Sequence, residues 1–475
     1  MRRLLSVALL TLASSASAQT PTLTPHQRAA REIYNELISI NTVDSVGSVT
    51  KAAEAMAKRF RAAGFPESDI KILIPPGKPT KGNLVVRLRG RAGSTTKPLL
   101  LLAHLDVVAA LRSDWPRDPF TLHEENGFFL GRGTSDDKAM ASIFVANMIR
   151  YKQQNFQPSR DIILALTADE EGGDSNGAEY LVKQHRDLID AAFALNEGGG
   201  GTLTGSGMEV KPLFNSIQAA EKVYQDFTVT ATNPGGHSSV PRPDNAIYEL
   251  ADALARLAKF SFPVALNPTT KAFLEQTAKV EKPEIASAMR ALVANPNDSA
   301  AAAFLSRDPR YASMLRTTCV ATRLSGGHAY NALPQTASAN VNCRMVPTSS
   351  SAETRATLAR VFADTGIKIT NTQQTEPDFP KSTLPVDPSV LAATTDITKS
   401  MFGDIPVVPT MSTGATDSHY LRAVGIPSYG ISGIFSLPGE TNAHGRDEKL
   451  RVKSYYDGLE FLDQLVRRLA GGVQP

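Results

Sequence analysis

Cysteine is scarce: Cys319 and Cys343 are the only two in 475 residues, which excludes a disulfide scaffold. Beyond the first few residues no apolar run approaches the roughly 20 needed to span a bilayer, so no membrane anchor is expected. Charge of one sign is not in excess, with 50 Lys and Arg against 47 Asp and Glu. Without a basic face there is little to release counterions from nucleic acid, and that class of partner is excluded. The chain also lacks G-x-x-x-x-G-K-[ST], which removes support for nucleotide-phosphate chemistry. Internal repeats, charge blocks and low-complexity tracts are missing as well.

What is present starts with the first residues. Met1-Arg2-Arg3 is a short basic region, Leu4 to Leu12 is apolar, and Ala16-Ser17-Ala18 matches a small-residue cleavage site. The pattern predicts a signal peptide over 1–18, cleaved near Ala18, and export to the periplasm or the medium. Of 50 basic residues, removal of Arg2 and Arg3 leaves 48 against 47 acidic ones, a net charge near +1. Export would place the two thiols where a bridge is permitted. Both lie in segments that read as short strands, and the thiols can meet if those strands pair.

A chain of this length favours two domains. From about 20 to 215, helices alternate with continuous apolar strands: Leu84 to Leu88, Leu99 to Ala103, Asp161 to Thr167 and Ala191 to Leu195. Such strands argue for an α/β domain whose mainly parallel sheet is covered by helices on both faces. Near 216 the texture changes to strand–helix–strand–strand–helix–strand, the pattern of a small α+β domain with an antiparallel sheet. Between Phe260 and Arg316 lies a helical insert with no visible chemistry. After about 380 the α/β texture returns. The expected division is therefore 19–215 and 380–475 for a catalytic domain, with 216–379 inserted as a lid.

Acidic and histidine clusters stand directly after the apolar strands: His104-Leu-Asp106, Asp136-Asp137, Glu170-Glu171 and Glu197, with His444 after a later apolar stretch. Open α/β sheets bind ligands beyond the carboxyl ends of their strands. Strand-end placement would thus gather these clusters on one rim. Each alone is weak, since an H-x-D triplet is common and a D-E-E run is usually a solvated loop. Two histidines and several carboxylates without cysteine suit zinc or a similar divalent ion. Paired metals need a bridging carboxylate, and a further carboxylate off the metal must carry the proton.

These residues, in this order and spacing, resemble the zinc peptidases and amidases that include aminoacylase, carboxypeptidase G-type enzymes, succinyl-diaminopimelate desuccinylase and yeast carboxypeptidase S. The likeness to the carboxypeptidase S branch runs through Gly131-Arg-Gly-Thr-Ser-Asp-Asp-Lys138, Asn196-Glu-Gly-Gly199 and Gly326-Gly-His-Ala-Tyr-Asn-Ala-Leu-Pro334. The resemblance implies two zinc ions per site, with cobalt or manganese as substitutes. It assigns His104 and Glu197 to one ion, Glu171 and His444 to the other, and Asp136 as the bridge. Asp137 stands where relatives often carry methionine. Glu170 matches the general base, and Asp106 the carboxylate that orients His104. His237 in Gly235-Gly-His237 resembles a lid histidine that stabilises the oxyanion. Asn331 and Arg344 match residues that hold substrate, Arg344 as partner of a terminal carboxylate. Gly414 and Thr416 lie in Gly414-Ala-Thr-Asp417, where many relatives have Gly-Gly-Thr-Asp.

The expected reaction is hydrolysis of the amide beside a free carboxylate, in a small peptide or an N-acyl amino acid. A di-zinc aminopeptidase uses a similar residue order, but the inserted lid speaks against it. A non-catalytic binding protein on this fold would have lost a ligand or the base, and all are present. The resemblance also allows a homodimer through the lid, in which the lid histidine serves the partner's site.

Overall fold

The computed structural model describes residues 23–372 and 385–473. The expected signal peptide lies outside them, as does the expected boundary at 380.

The first helix shows how local chemistry sets an element. Thr24 caps Pro25–Ser39 in a capping box with Gln27, and proline occupies the first turn, where its missing N–H costs nothing. Ala30, Ile33, Tyr34, Leu37 and Ile38 recur at helical spacing and are buried.

That stripe packs on a ten-stranded sheet. In the strand Leu99–His104, Leu99, Leu101 and Ala103 enter one apolar cluster while Leu100 and Leu102 enter another on the opposite face. Ile162–Thr167 divides the same way, with Ile162, Leu164 and Leu166 on one side and Ile163 and Ala165 on the other. The period of two makes both faces interior, at roughly 1.5–3 kcal/mol for each large side chain removed from water. Helices Pro25–Ser39, Val49–Ala62, Lys138–Gln153, Pro388–Phe402 and Val452–Ala470 supply the first cover. Gly177–Gln184, Arg186–Ile189 and Ser418–Ala423 supply the second.

Leu99–His104 pairs in parallel with Ile162–Thr167 on one side and Phe193–Asn196 on the other. Phe193–Asn196 continues in parallel to Ser428–Gly430. Antiparallel pairings join Ile70–Leu73 to Asn83–Leu88, Asn83–Leu88 to Ile162–Thr167, and Glu209–Glu221 to Gly201–Ser206. The sheet is thus parallel at its centre and mixed toward its edges.

A second, wholly antiparallel sheet runs in the order Thr318–Gly326, Thr336–Met345, Val223–Thr232, Lys368–Asn371. Helices Ala246–Lys259 and Ser351–Phe362 cover one face of it. The change of texture read at 216 falls inside strand Glu209–Glu221, and the chain passes from the large sheet to the small one at Lys222. The insert folds as four helices, Pro268–Thr277, Pro283–Ala294, Ser299–Leu305 and Pro309–Leu315. Their core includes Val408, so they pack on the edge of the large sheet. Cys319 and Cys343 face each other in register on neighbouring strands and form a disulfide.

Candidate active site

Three adjacent parallel strands end on one rim. His104 is the last residue of its strand, Asp169-Glu170-Glu171 follow Thr167 by one residue, and Glu197 follows Asn196 directly. The Glu197 loop closes tightly on its neighbour: a Cβ at Gly199 would lie 2.0 Å from the Gly430 carbonyl, which explains the glycine.

Asp136 stands at the centre. Its Oδ1 is 3.1 Å from His104 Nε2 and its Oδ2 is 3.2 Å from His444 Nε2. Glu171 Oε2 lies 2.9 Å from His444 Nε2, and Glu197 Oε2 lies 3.9 Å from His104 Nε2. One carboxylate therefore faces two imidazoles, each with a second acid beside it. The carboxylate of Glu170 lies within 4.8 Å of ligand atoms of His104 and Glu197.

Asp106 lies beside His104 and also reaches a second partner. Its carboxylate accepts the backbone N–H groups of Glu170 at 3.1 Å and Glu171 at 2.9 Å. His104 Nδ1 is nearer the Asp106 carbonyl, at 3.1 Å, than its carboxylate, at 3.5 Å. Asp106 thus fixes both the imidazole and the two-glutamate turn.

Two residues outside the expected set hold the Asp136 and His444 loops together. Glu448 accepts from Ser135 N at 2.7 Å, Asp136 N at 3.1 Å and Gly133 N at 3.1 Å. Its other partner is the buried Arg132 guanidinium at 2.8 Å, which also donates to the carbonyls of His444 and Gly445. A buried acid away from a strand end carries no pattern that would mark it. Asp417 is likewise buried, accepting from Thr167 and Asn176.

The electrostatics call for cations. Burial, reinforced by Glu197, Asp417 and Glu171, pushes the Glu170 carboxyl up to about 10. Burial and Asp136 bring Glu171 to about 7. Burial opposes charge on His104, but Asp106 and Asp136 outweigh it and hold the imidazole well above its ordinary value. Hydrogen bonding to Asp136, helped by Glu171, raises His444 to about 9. Glu171 Oε1 is buried without a hydrogen-bond partner. Crowded carboxylates, neutral-capable imidazoles and an orphaned oxygen are a donor set for divalent ions of the zinc type.

From this cluster opens a crevice of about 1140 Å³, lined by Glu170, Glu171 and His444 at one end and by Arg344 and Gly414 further along. Thr416 lines it too, but its hydroxyl donates to Glu221 at 2.9 Å. His237 and Asn331 are not brought there. They are exposed on a ribbon pairing Gly236–His237 with Ala332–Leu333. That ribbon follows Thr232, whereas Tyr224, opposite Arg344, is eight residues back along the strand, about 26 Å at the usual rise. The length of strand Val223–Thr232 separates the ribbon from Arg344.

A doubly covered α/β sheet with a carboxylate set between two histidine–acid pairs defines a metal-dependent hydrolase. Residues 100–468 match the family described as peptidase family M20/M25/M40, and the chain belongs to that family. A probable carboxypeptidase S-like 2 from Dictyostelium discoideum is 28% identical over 467 residues, covering 91% of this chain and 88% of the relative. The human N-fatty-acyl-amino acid synthase/hydrolase PM20D1 is 26% identical, over 80% of this chain and 75% of its own. Among solved structures, an M20 family metallo-carboxypeptidase from Sulfolobus solfataricus superposes with a TM-score of 0.67 at 17% identity, over 93% and 99% of the two chains. The chain is thus a hydrolase of amide bonds, of the peptidase and aminoacylase type, in a metal-dependent family.

Proposed function

We propose that this hydrolase cuts the amide beside a free carboxylate, in small peptides or N-acyl amino acids, using two zinc ions. The observation that carries the reading is Asp136, one oxygen toward each histidine–acid pair, at the end of a crevice that also contains Arg344. His104 and Glu197 would hold one ion, Glu171 and His444 the other, and Asp136 both. Bound there, the ions would supply an ionised water and polarise the amide carbonyl.

The protein's own groups do the rest. Glu170 has no side-chain hydrogen bond among the described residues, so its carboxylate is free to take a proton and pass it to the leaving nitrogen. Asp106 holds the Glu170 backbone and so aims that carboxylate. Arg344, which lines the crevice and forms no salt bridge among the described residues, faces the substrate's carboxylate. His237 and Asn331 would reach a crevice from a second copy of the chain, and there complete the oxyanion contact. The basic start and small-residue site near Ala18, with the disulfide, support export.

Zinc-loaded protein should cleave N-blocked dipeptides or N-acyl amino acids with a free carboxyl terminus and spare their amidated counterparts. Equal cleavage of both, read by mass spectrometry, would remove the carboxylate from the reading.

A further inference from the structure

We propose that Lys222 is a second cation of the carboxylate subsite, sharing the substrate's terminal carboxylate with Arg344. The inference rests on the reading of this crevice as one that cuts beside a free carboxylate.

Lys222 lies at the passage between the two sheets, its N–H bonded to the Ser412 carbonyl at 2.9 Å. The residue is 1% exposed, so its side chain lies within the protein, against the crevice wall, rather than out in bulk solvent as lysines usually do. Nζ has one hydrogen-bond partner among the described residues, the neutral hydroxyl of Thr318 at 3.2 Å. The adjacent Glu221 is engaged elsewhere, by Thr416 and by Arg422. No carboxylate pairs with Lys222 among the described residues. Its charged neighbours are Arg344 and Arg316, and burial followed by these two cations lowers its pKa to about 7. A buried ammonium facing cations is unfavourable until an anion joins it.

Geometry says where that anion would sit. Thr318 is opposite Arg344 in the strand register, so the ammonium bonded to Thr318 stands beside the guanidinium. Arg344 is stacked on Tyr224 at 4.6 Å and forms no salt bridge among the described residues, although Asp226 lies within its field. Lys222 and Arg344 line the same crevice as Glu170, Glu171 and His444. The crevice is therefore polar along its length, acids at one end and the cations Lys222 and Arg344 at the other. A ligand with an amide at the first end and a carboxylate at the second matches it.

The test is Lys222→Met, of similar volume and without charge, assayed on matched free-acid and amidated substrates with thermal unfolding alongside. Wild type should prefer the free acid. The variant should lose about 10- to 100-fold in kcat/KM on the free acid, mostly through KM, and with it that much of the preference over the amide. Its melting temperature should hold or rise. Lys222→Arg should restore part of the preference, and serves as the reporter if the methionine variant folds poorly. If wild type discriminates and both variants keep its ratio and KM, Lys222 is structural and the inference falls alone. If wild type itself does not discriminate, the reading of the crevice falls with it.

Discussion

Asp106 shows how much one side chain arranges here. Its two oxygens take the N–H groups of Glu170 and Glu171, and its carbonyl approaches the ring of His104. Asp106→Asn leaves one oxygen to do the work of two. Metal affinity, measured by competition with a chelator, should fall about 10- to 100-fold, with kcat falling as well. Protonation gives a second prediction. Without metal, Glu171 is raised from 4.5 to about 7 and Glu170 to about 10, so over that span the unfolded chain binds fewer protons than the fold. His444, raised from 6.5 to about 9, contributes stability that is complete below 6.5 and lost as pH rises through 9. All three act in one direction. The metal-free protein should melt at a lower temperature at pH 9 than at pH 6, and zinc should shrink the difference. A melting temperature that rises over this window without metal would contradict these assignments.

Among the elements, the loops matter more than the strands they follow. Arg132 and Glu448 lock the Asp136 loop to the His444 loop from beneath. Glu448→Ala strands a buried guanidinium and frees several N–H groups, a loss of about 3–5 kcal/mol. Calorimetry should show the lower melting temperature, and metal binding should weaken with it; an unchanged pair of values would make the contact incidental. This lock also marks what the sequence could not convey. Apolar strands with acids at their ends were legible because period and position coincide, as at Leu99–His104 and Ile162–Thr167. Strand Glu209–Glu221 was not, since its burial alternates weakly and its partners, Gly201–Ser206 and Val407–Ser412, are set by tertiary pairing. Nor was the second function of Asp106, which depends on a turn 64 residues away.

At the scale of the whole molecule, the ribbon that follows strand Val223–Thr232 presents His237 and Asn331 away from the crevice of its own chain. Edge strand Thr318–Gly326 exposes Val320 and Leu324, which are 58% and 72% accessible, an apolar edge suited to a second copy. The complementation test is direct. Glu170→Ala and His237→Ala should each be inactive alone. Mixed in equal amounts and allowed to exchange, they should recover about a quarter of wild-type activity, since mixed dimers hold one intact site of two. No recovery, with dimers confirmed by light scattering, would confine each site to one chain.

The donors that gather at the rim are spread over most of the polypeptide, from His104 to His444, 340 positions later. A ribosome adding roughly 5–20 residues per second needs about 17–70 s to cross that interval. For most of it the nascent chain carries His104, Asp136 and the glutamates but lacks the imidazole that faces the other side of Asp136. A truncated or stalled product therefore cannot assemble the complete centre. With the proposed ligand set, amide-cleaving capacity arrives only as synthesis ends.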